Sequence, residues 1–177
     1  PLSLLDAGPQ PFPLAPKTDV LWITNPHNPT GQLWTMNSIE NLLKQYALVV
    51  CDEAFLPLTP DGENQSLIPH VKDHPNLVVI RSLTKLFAIA GLRLGYAIAN
   101  PSRLDCWTNW RDPWPVNGLA LDAGTSIMSD ISFLKRWIKK VQSWVAKEGP
   151  WLYSQLQSVP GIMPQPSSVN FLLIKGE

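Results

Sequence analysis

Lys85 and Arg93 sit eight residues apart in "IRSLTKLFAIAGLRLGYAIANP" (residues 80–101), among Leu, Phe, Ile and Ala. A buried cation is costly unless something negative meets it. Either both charges reach the surface, or both serve a buried anionic ligand. Two further polar groups follow apolar runs upstream. "NPHNPTG" (residues 25–31) is a stiff turn of two Asn-Pro steps and a Gly that would hold the Asn28 amide in place. "CDEAF" (residues 51–55) brings Asp52 and Glu53. A carboxylate such as Asp52 keeps a heteroaromatic nitrogen protonated. Ser82, Thr84 and Arg93 suit a phosphate, with Arg giving a bidentate charge-assisted contact. Lys85 is then free to attack a carbonyl as an amine nucleophile.

These residues need a frame. Residues 19–26, 47–55, 75–83 and 95–101 read as short, continuously apolar strands, and residues 35–47 as a helix behind Thr or Asn caps. Continuous apolar strands alternating with helices predict an α/β layer with a mostly parallel sheet covered on both faces. In such sheets ligands gather beyond the C-terminal strand ends, where all of these polar groups fall, Arg81 included. Residues 102–110, 115–130 and 131–158 read as helices, the last broken or kinked at Gly149-Pro150. Residues 168–176 read as a further strand. The first 19 residues hold five prolines and read as an extended loop.

Pyridine nitrogen, phosphate and aldehyde together describe pyridoxal 5′-phosphate (PLP), which gives both cations a use: Lys85 as Schiff base, Arg93 as phosphate partner. "NPHNPTG", "CDEAF" and "RSLTKLFAIAGLRLGY", in this order, resemble the signature segments of fold-type-I PLP enzymes, the class I/II aminotransferase superfamily. The nearest branch holds the histidinol-phosphate aminotransferases and threonine-phosphate decarboxylases. "DEAF", "RSLTK" and "DPWPVN" (residues 112–117) lean toward decarboxylases of L-threonine O-3-phosphate in cobalamin synthesis. The resemblance implies that Lys85 carries the cofactor, Asp52 pairs with its ring nitrogen, Asn28 contacts its 3′-oxygen, and Ser82, Thr84 and Arg93 contact its phosphate. Phe55 stands where many of these enzymes have a Tyr that donates to the 3′-oxygen, again similar to the decarboxylases.

The resemblance also sets the expected organisation. Residues 1–130 are expected to be a partial PLP-binding large domain of three layers, 131–160 a bridging helical segment, and 161–177 the start of a small α+β domain. The family's phosphate-binding glycine turn, its stacking aromatic ring and its carboxylate-binding arginine are not among these residues. The chain therefore reads as a segment of a longer protein, expected to turn over little substrate alone and to be a homodimer when whole. Two other readings stand beside the decarboxylase: an aminotransferase of the histidinol-phosphate type, and a non-catalytic PLP-binding domain of a transcription regulator.

Composition narrows the rest. Fourteen basic residues balance 14 acidic ones, so nucleic acid is not an expected partner of this segment. Lys85 and Arg93 interrupt the longest apolar run before it reaches the roughly 18–20 residues of a membrane span. Two cysteines make no disulfide framework, and a cytoplasmic protein is expected. Glu53 reads as a cap or a solvated loop acid, and His27 as turn structure. His70 and His74, fenced by Pro69 and Pro75, read as a solvated loop rather than a metal site, so no metal is expected. Six tryptophans between residues 107 and 151 read as core or subunit interface.

Overall fold

A computed structural model describes residues 18–176. The reading of the first 17 residues as an extended loop lies outside the described residues. Four strands form one sheet in the order β1 (Val20–Thr24), β2 (Leu48–Asp52), β3 (Leu77–Ser82) and β4 (Gly95–Ala99). β1, β2 and β3 run parallel, and β4 returns antiparallel to β3. Residues 83–94, between β3 and β4, hold only a one-turn helix and a 3-10 turn, and neither carries the chain back to the start of β3 as a parallel neighbour requires.

Alternation along the strands sorts their side chains onto two faces. Leu21, Ile23, Val49, Cys51, Leu77 and Val79 share one face, where they pack with Trp34, Ile39, Leu42, Leu43, Leu67 and Val71 into the main core. Val50, Val78 and Ala99 lie on the other, covered by Leu104 and Trp107 of α3 (Pro101–Thr108). At the β1 end this second face is open, and Trp22 is 61% exposed. The described residues therefore cover one face fully and the other in part.

Helix lengths depart from the sequence reading in two places. α1 is only Met36–Glu40, capped by Thr35, whose side chain accepts from the Ser38 N–H. Residues 41–45 continue as turns, because Leu42, Leu43 and Gln45 donate to carbonyls three residues back rather than four. After α2 (Leu83–Leu86) and α4 (Gly118–Ser129), helix α5 (Ile131–Gln157) runs unbroken through Pro150. The proline removes one backbone donor on an exposed face, and the turns on either side carry the helix past it. Asn100, Asn117 and Asp130 cap α3, α4 and α5 by accepting from the N–H groups of Ser102, Ala120 and Phe133.

The strand expected over residues 168–176 is confined to β6 (Ile174–Gly176), paired antiparallel with β5 (Ile162–Pro164). Residues 168–171 instead fold back toward the sheet. Ser168 donates its N–H and hydroxyl to the Gly31 carbonyl at 2.9 and 2.7 Å, and Val169 is buried. Of the six tryptophans between residues 107 and 151, Trp114 is 91% exposed and Trp110, Trp144 and Trp151 also face outward, whereas Trp107 packs on the sheet and the half-buried Trp137 donates its ring N–H to the Leu86 carbonyl. Among the described residues no helix is long and apolar enough to cross a membrane.

Candidate functional site

The parallel register sets Thr24 beside Asp52 and Asp52 beside Ile80, so three strands end at one edge. Asp52 and Ser82 then point to the same face of the sheet, and Glu53 and Arg81 to the opposite one. This parity divides the polar residues into a set on the face away from the main core and a set that points into it.

Asp52 is half-buried, and its Oδ1 accepts from the Ala54 N–H at 3.0 Å, which fixes the carboxylate at the strand end. Three residues on, Phe55 packs edge-on against Phe171, with ring centroids 5.1 Å apart. The Lys85 amine lies 5.6 Å from the Phe55 ring centroid, a cation–π contact that draws the α2 lysine back to the end of β2. Lys85 is exposed, and among the described residues it makes no ion pair.

Ser82 closes β3 opposite Gly95. The Leu94 carbonyl accepts from the Leu83 N–H at 3.1 Å and from the Thr84 hydroxyl at 3.4 Å. Arg93, the neighbour of Leu94, is thereby held beside the Ser82–Thr84 turn. It adopts a left-handed conformation with φ of 54°. Its guanidinium is exposed and donates to the Ala90 carbonyl only at 3.4 Å. Both cations of the opening motif thus reach the surface rather than the core. Thr84 is buried and its proton goes to Leu94, over a length at which little is lost by redirecting it.

The Asn28 turn is built from both sides. Asn25 is fully buried; its backbone N–H donates to the Asp52 carbonyl at 2.9 Å, and its side chain exchanges two hydrogen bonds with the Trp34 backbone at 2.8 and 3.0 Å. The Asn25–Pro26 and Asn28–Pro29 bonds are cis. The His27 ring meets the Thr30 hydroxyl at 2.8 Å, and burial lowers the proton affinity of this imidazole. Gly31 has φ of 69°, and a Cβ there would overlap Ser167. Asn28 itself is exposed at the rim.

Glu53 is not a loop acid. It is fully buried and accepts from Arg81 Nε at 2.9 Å, Ser66 Oγ at 2.8 Å and the Leu67 N–H at 2.7 Å. Arg81 also forks onto Glu63 at 2.8 and 3.0 Å. Burial pushes Glu53 up from the usual carboxylate range, with Arg81 the chief opposing influence. Burial works against the Arg81 charge too, but the hydrogen bonds and charges of Glu63 and Glu53 outweigh it. Arg81 is thus committed to the scaffold, leaving Arg93 as the guanidinium at the strand ends that faces solvent. Asn25, Glu53 and the Phe171 ring are the contributions the sequence reading missed. The spacing of Glu53 and Arg81, each one residue beyond an in-register pair, carried the signal for their pairing.

An open α/β sheet with an amine, a carboxylate, hydroxyls and a guanidinium gathered at its strand C-termini defines a cofactor-using enzyme fold. The chain belongs to the family Aminotransferase class I and II, whose model matches residues 4–176. It is similar to threonine-phosphate decarboxylase of Salmonella typhimurium, 34% identical over 93% of this chain and 45% of the relative. It is also similar to histidinol-phosphate aminotransferase 2 of Legionella pneumophila, 38% identical over 88% of this chain and 42% of the relative. Among solved structures, histidinol-phosphate aminotransferase from Clostridium acetobutylicum superposes with a TM-score of 0.79 at 29% identity, over 90% of this chain and 48% of that one. The architecture is that of a fold-type-I PLP transferase, and the chain spans less than half the length of these relatives.

Proposed function

We propose that these residues form part of a PLP-dependent enzyme that decarboxylates L-threonine O-3-phosphate to an aminopropanol phosphate in cobalamin synthesis. The observation that carries the reading is the Lys85 amine over the Phe55 ring at 5.6 Å, at the edge where Asp52 ends its strand. The donor set fits the cofactor: an exposed primary amine, a half-buried carboxylate, and hydroxyls beside a guanidinium. When bound, PLP serves as an electron sink for the bonds at the substrate α-carbon.

The chain's own residues divide the work. Lys85 anchors the cofactor covalently, as only a primary amine can, since Arg stays protonated. Asp52 would hold the proton of the ring nitrogen through the oxygen left free by the Ala54 N–H bond to Oδ1. Ser82, Thr84 and Arg93 bind the phosphate. Asn28 would donate its amide to the 3′-oxygen, and Phe55 would lie beside the ring without a hydroxyl to add a second donor. Phe55 in place of Tyr, together with "DPWPVN", is the resemblance that leans toward the decarboxylases rather than the aminotransferases.

We also propose the division into a partial large domain (1–130), a bridging segment (131–160) and the start of a small domain (161–177). A homodimer is proposed for the whole protein, whose exposed Trp110, Trp114 and Leu119 supply apolar surface for the contact.

The test uses the longest polypeptide that carries these residues, loaded with PLP. Borohydride reduction and peptide mapping should place the pyridoxyl group on Lys85; a label on Lys72 would overturn the site. Incubation with L-threonine O-3-phosphate should release carbon dioxide. Amino transfer from histidinol phosphate to 2-oxoglutarate without that release would establish the aminotransferase reading. PLP binding with neither reaction would support the regulator reading.

A further inference from the structure

We propose that Glu40, His70 and His74 form a binding site for one divalent transition-metal ion of the zinc type, away from the strand ends that carry Lys85. The three side chains come from separate places in the sequence. Glu40 is the last residue of α1. His70 closes a short 3-10 turn (Ile68–His70), and His74 follows on the turn that leads into β3. One ligand atom from each lies within 4.8 Å of the others, and all three residues are half-buried. His70 Nδ1 and Glu40 Oε1 are 3.4 Å apart. Tetrahedral zinc with bonds of about 2.0–2.1 Å sets its ligands roughly 3.4 Å apart, so this edge of the site is already formed. The His74 ring, 6.2 Å from that of His70 and tilted by 33°, closes the remainder by side-chain rotation.

The ring orientation of His70 supports the assignment. Its Nε2 faces Met36 Sδ at 3.1 Å. A cation between His70 and Glu40 takes the Nδ1 lone pair and leaves the proton on Nε2, directed at the thioether. A thioether is a weak acceptor, yet it gives the far ring nitrogen a partner in the place where metal-ligating imidazoles have a carboxylate, carbonyl or water.

The backbones that carry the ligands are held in place before any ion arrives. His70 donates its N–H to the Leu67 carbonyl at 2.9 Å, and His74 to the His70 carbonyl at 3.1 Å. The Asn76 amide spans the two segments, donating to the carbonyls of Leu43 and Tyr46 at 2.7 and 2.9 Å. Ile39, beside Glu40, and Val71, beside His70, are both core residues. Binding therefore orders little new structure, which lowers its cost.

Two imidazoles and one carboxylate are borderline ligands. They select zinc, nickel or copper over magnesium and calcium, which prefer all-oxygen shells. Three protein ligands leave one tetrahedral position for water. The ion would clip the turn before β3 to the end of α1, and so stabilise the core face of the sheet by mass action.

The experiment is equilibrium dialysis of the chelator-stripped chain against zinc chloride, with bound metal read by atomic emission. One Zn²⁺ per chain should bind, with saturation below about 0.1 mM free ion. A large excess of Mg²⁺ or Ca²⁺ should not displace it. Glu40→Gln and His74→Gln should each weaken binding about tenfold or more. Cys106→Ser and His27→Gln, which remove the exposed thiol and the remaining imidazole, should leave it unchanged. Zinc should raise the thermal unfolding midpoint of the native chain but not of His70→Gln/His74→Gln, whose metal-free circular dichroism reports that it is folded. No binding at about 0.1 mM free Zn²⁺ would overturn the proposal. So would stoichiometric binding that Glu40→Gln and His74→Gln leave intact.

Discussion

Replacing Arg81 by Met should destabilise the fold in a way that depends on pH. The substitution keeps a long apolar stem and removes the guanidinium. Glu53, with no exposed surface, retains Ser66 Oγ at 2.8 Å and the Leu67 N–H at 2.7 Å but loses its counter-charge. Glu63, whose side chain is 41% exposed, returns to water at little cost. Breaking a buried pair from one side costs about 3–5 kcal/mol. With a denaturant slope of about 2 kcal/mol per M, the urea midpoint should fall by roughly 1.5–2.5 M near neutral pH. A carboxylate can relieve its burial by taking a proton. Burial already raises the Glu53 value above 4.5, and losing Arg81 raises it further. A carboxyl whose folded value lies above its unfolded one is protonated first in the folded state. Its stabilising contribution is present below the unfolded value and is lost as pH rises through the folded one. The Arg81→Met penalty should therefore be greatest in mild alkali and shrink toward about pH 5, by at most about 1.36 kcal/mol per pH unit. Adding Glu53→Gln should flatten that profile. Urea unfolding followed by far-UV circular dichroism across this range is the assay. A penalty equal at both ends, or a midpoint shift under about 0.5 M, would refute the view that an uncompensated buried carboxylate sets the cost.

Gly31→Ala should destabilise the Asn28 turn, since the new Cβ meets Ser167 at a backbone φ of 69°; faster hydrogen exchange at the Gly31 and Ser168 amides is the readout, and unchanged rates would count against the contact. The His27 imidazole should titrate below 6.5 by NMR, because burial disfavours its charged form. The unfolded chain then binds the proton first on acidification, so this residue lowers stability as pH falls through that region, and His27→Gln should remove the effect; a midpoint at or above 6.5 would contradict it. Iodoacetamide should alkylate exposed Cys106 and spare Cys51, whose thiol is pushed up by burial and by the Glu53 and Asp52 charges; equal labelling of the native chain would show that β2 opens. In the PLP-loaded parent, Lys85→Arg should abolish covalent attachment while retaining positive charge, and a surviving reduced adduct would move the anchor elsewhere.

The strands were legible because their signal is local. Apolar runs such as "VVCD" and "LVVIRS" are continuous, and the polar residues that end them mark the edge of the sheet. Asp52, Ser82 and Lys85 could be assigned to one edge from order alone. The direction of β4 was not legible, since a strand's residues look the same whichever way its neighbour runs. The turns after α1 and the unbroken passage through Pro150 depend on which carbonyls the tertiary fold leaves free, and no window of sequence reports that. Glu53 shows the deeper limit. Read alone, an acid after a strand belongs in water. Its burial follows from three donors that lie 13, 14 and 28 residues away, the last of them on Arg81, whose charge pairs with it. Once the β2–β3 register is known, the same parity that turns Asp52 and Ser82 away from the main core turns Glu53 and Arg81 into it. One adjacent pair of carboxylates, Asp52-Glu53, thus divides into a half-buried residue at the strand end and a buried residue that holds its strand to the next. A substitution that swapped the two would put each charge on the wrong face of the sheet, which is why the order Asp-Glu, and not acidity alone, carries the information.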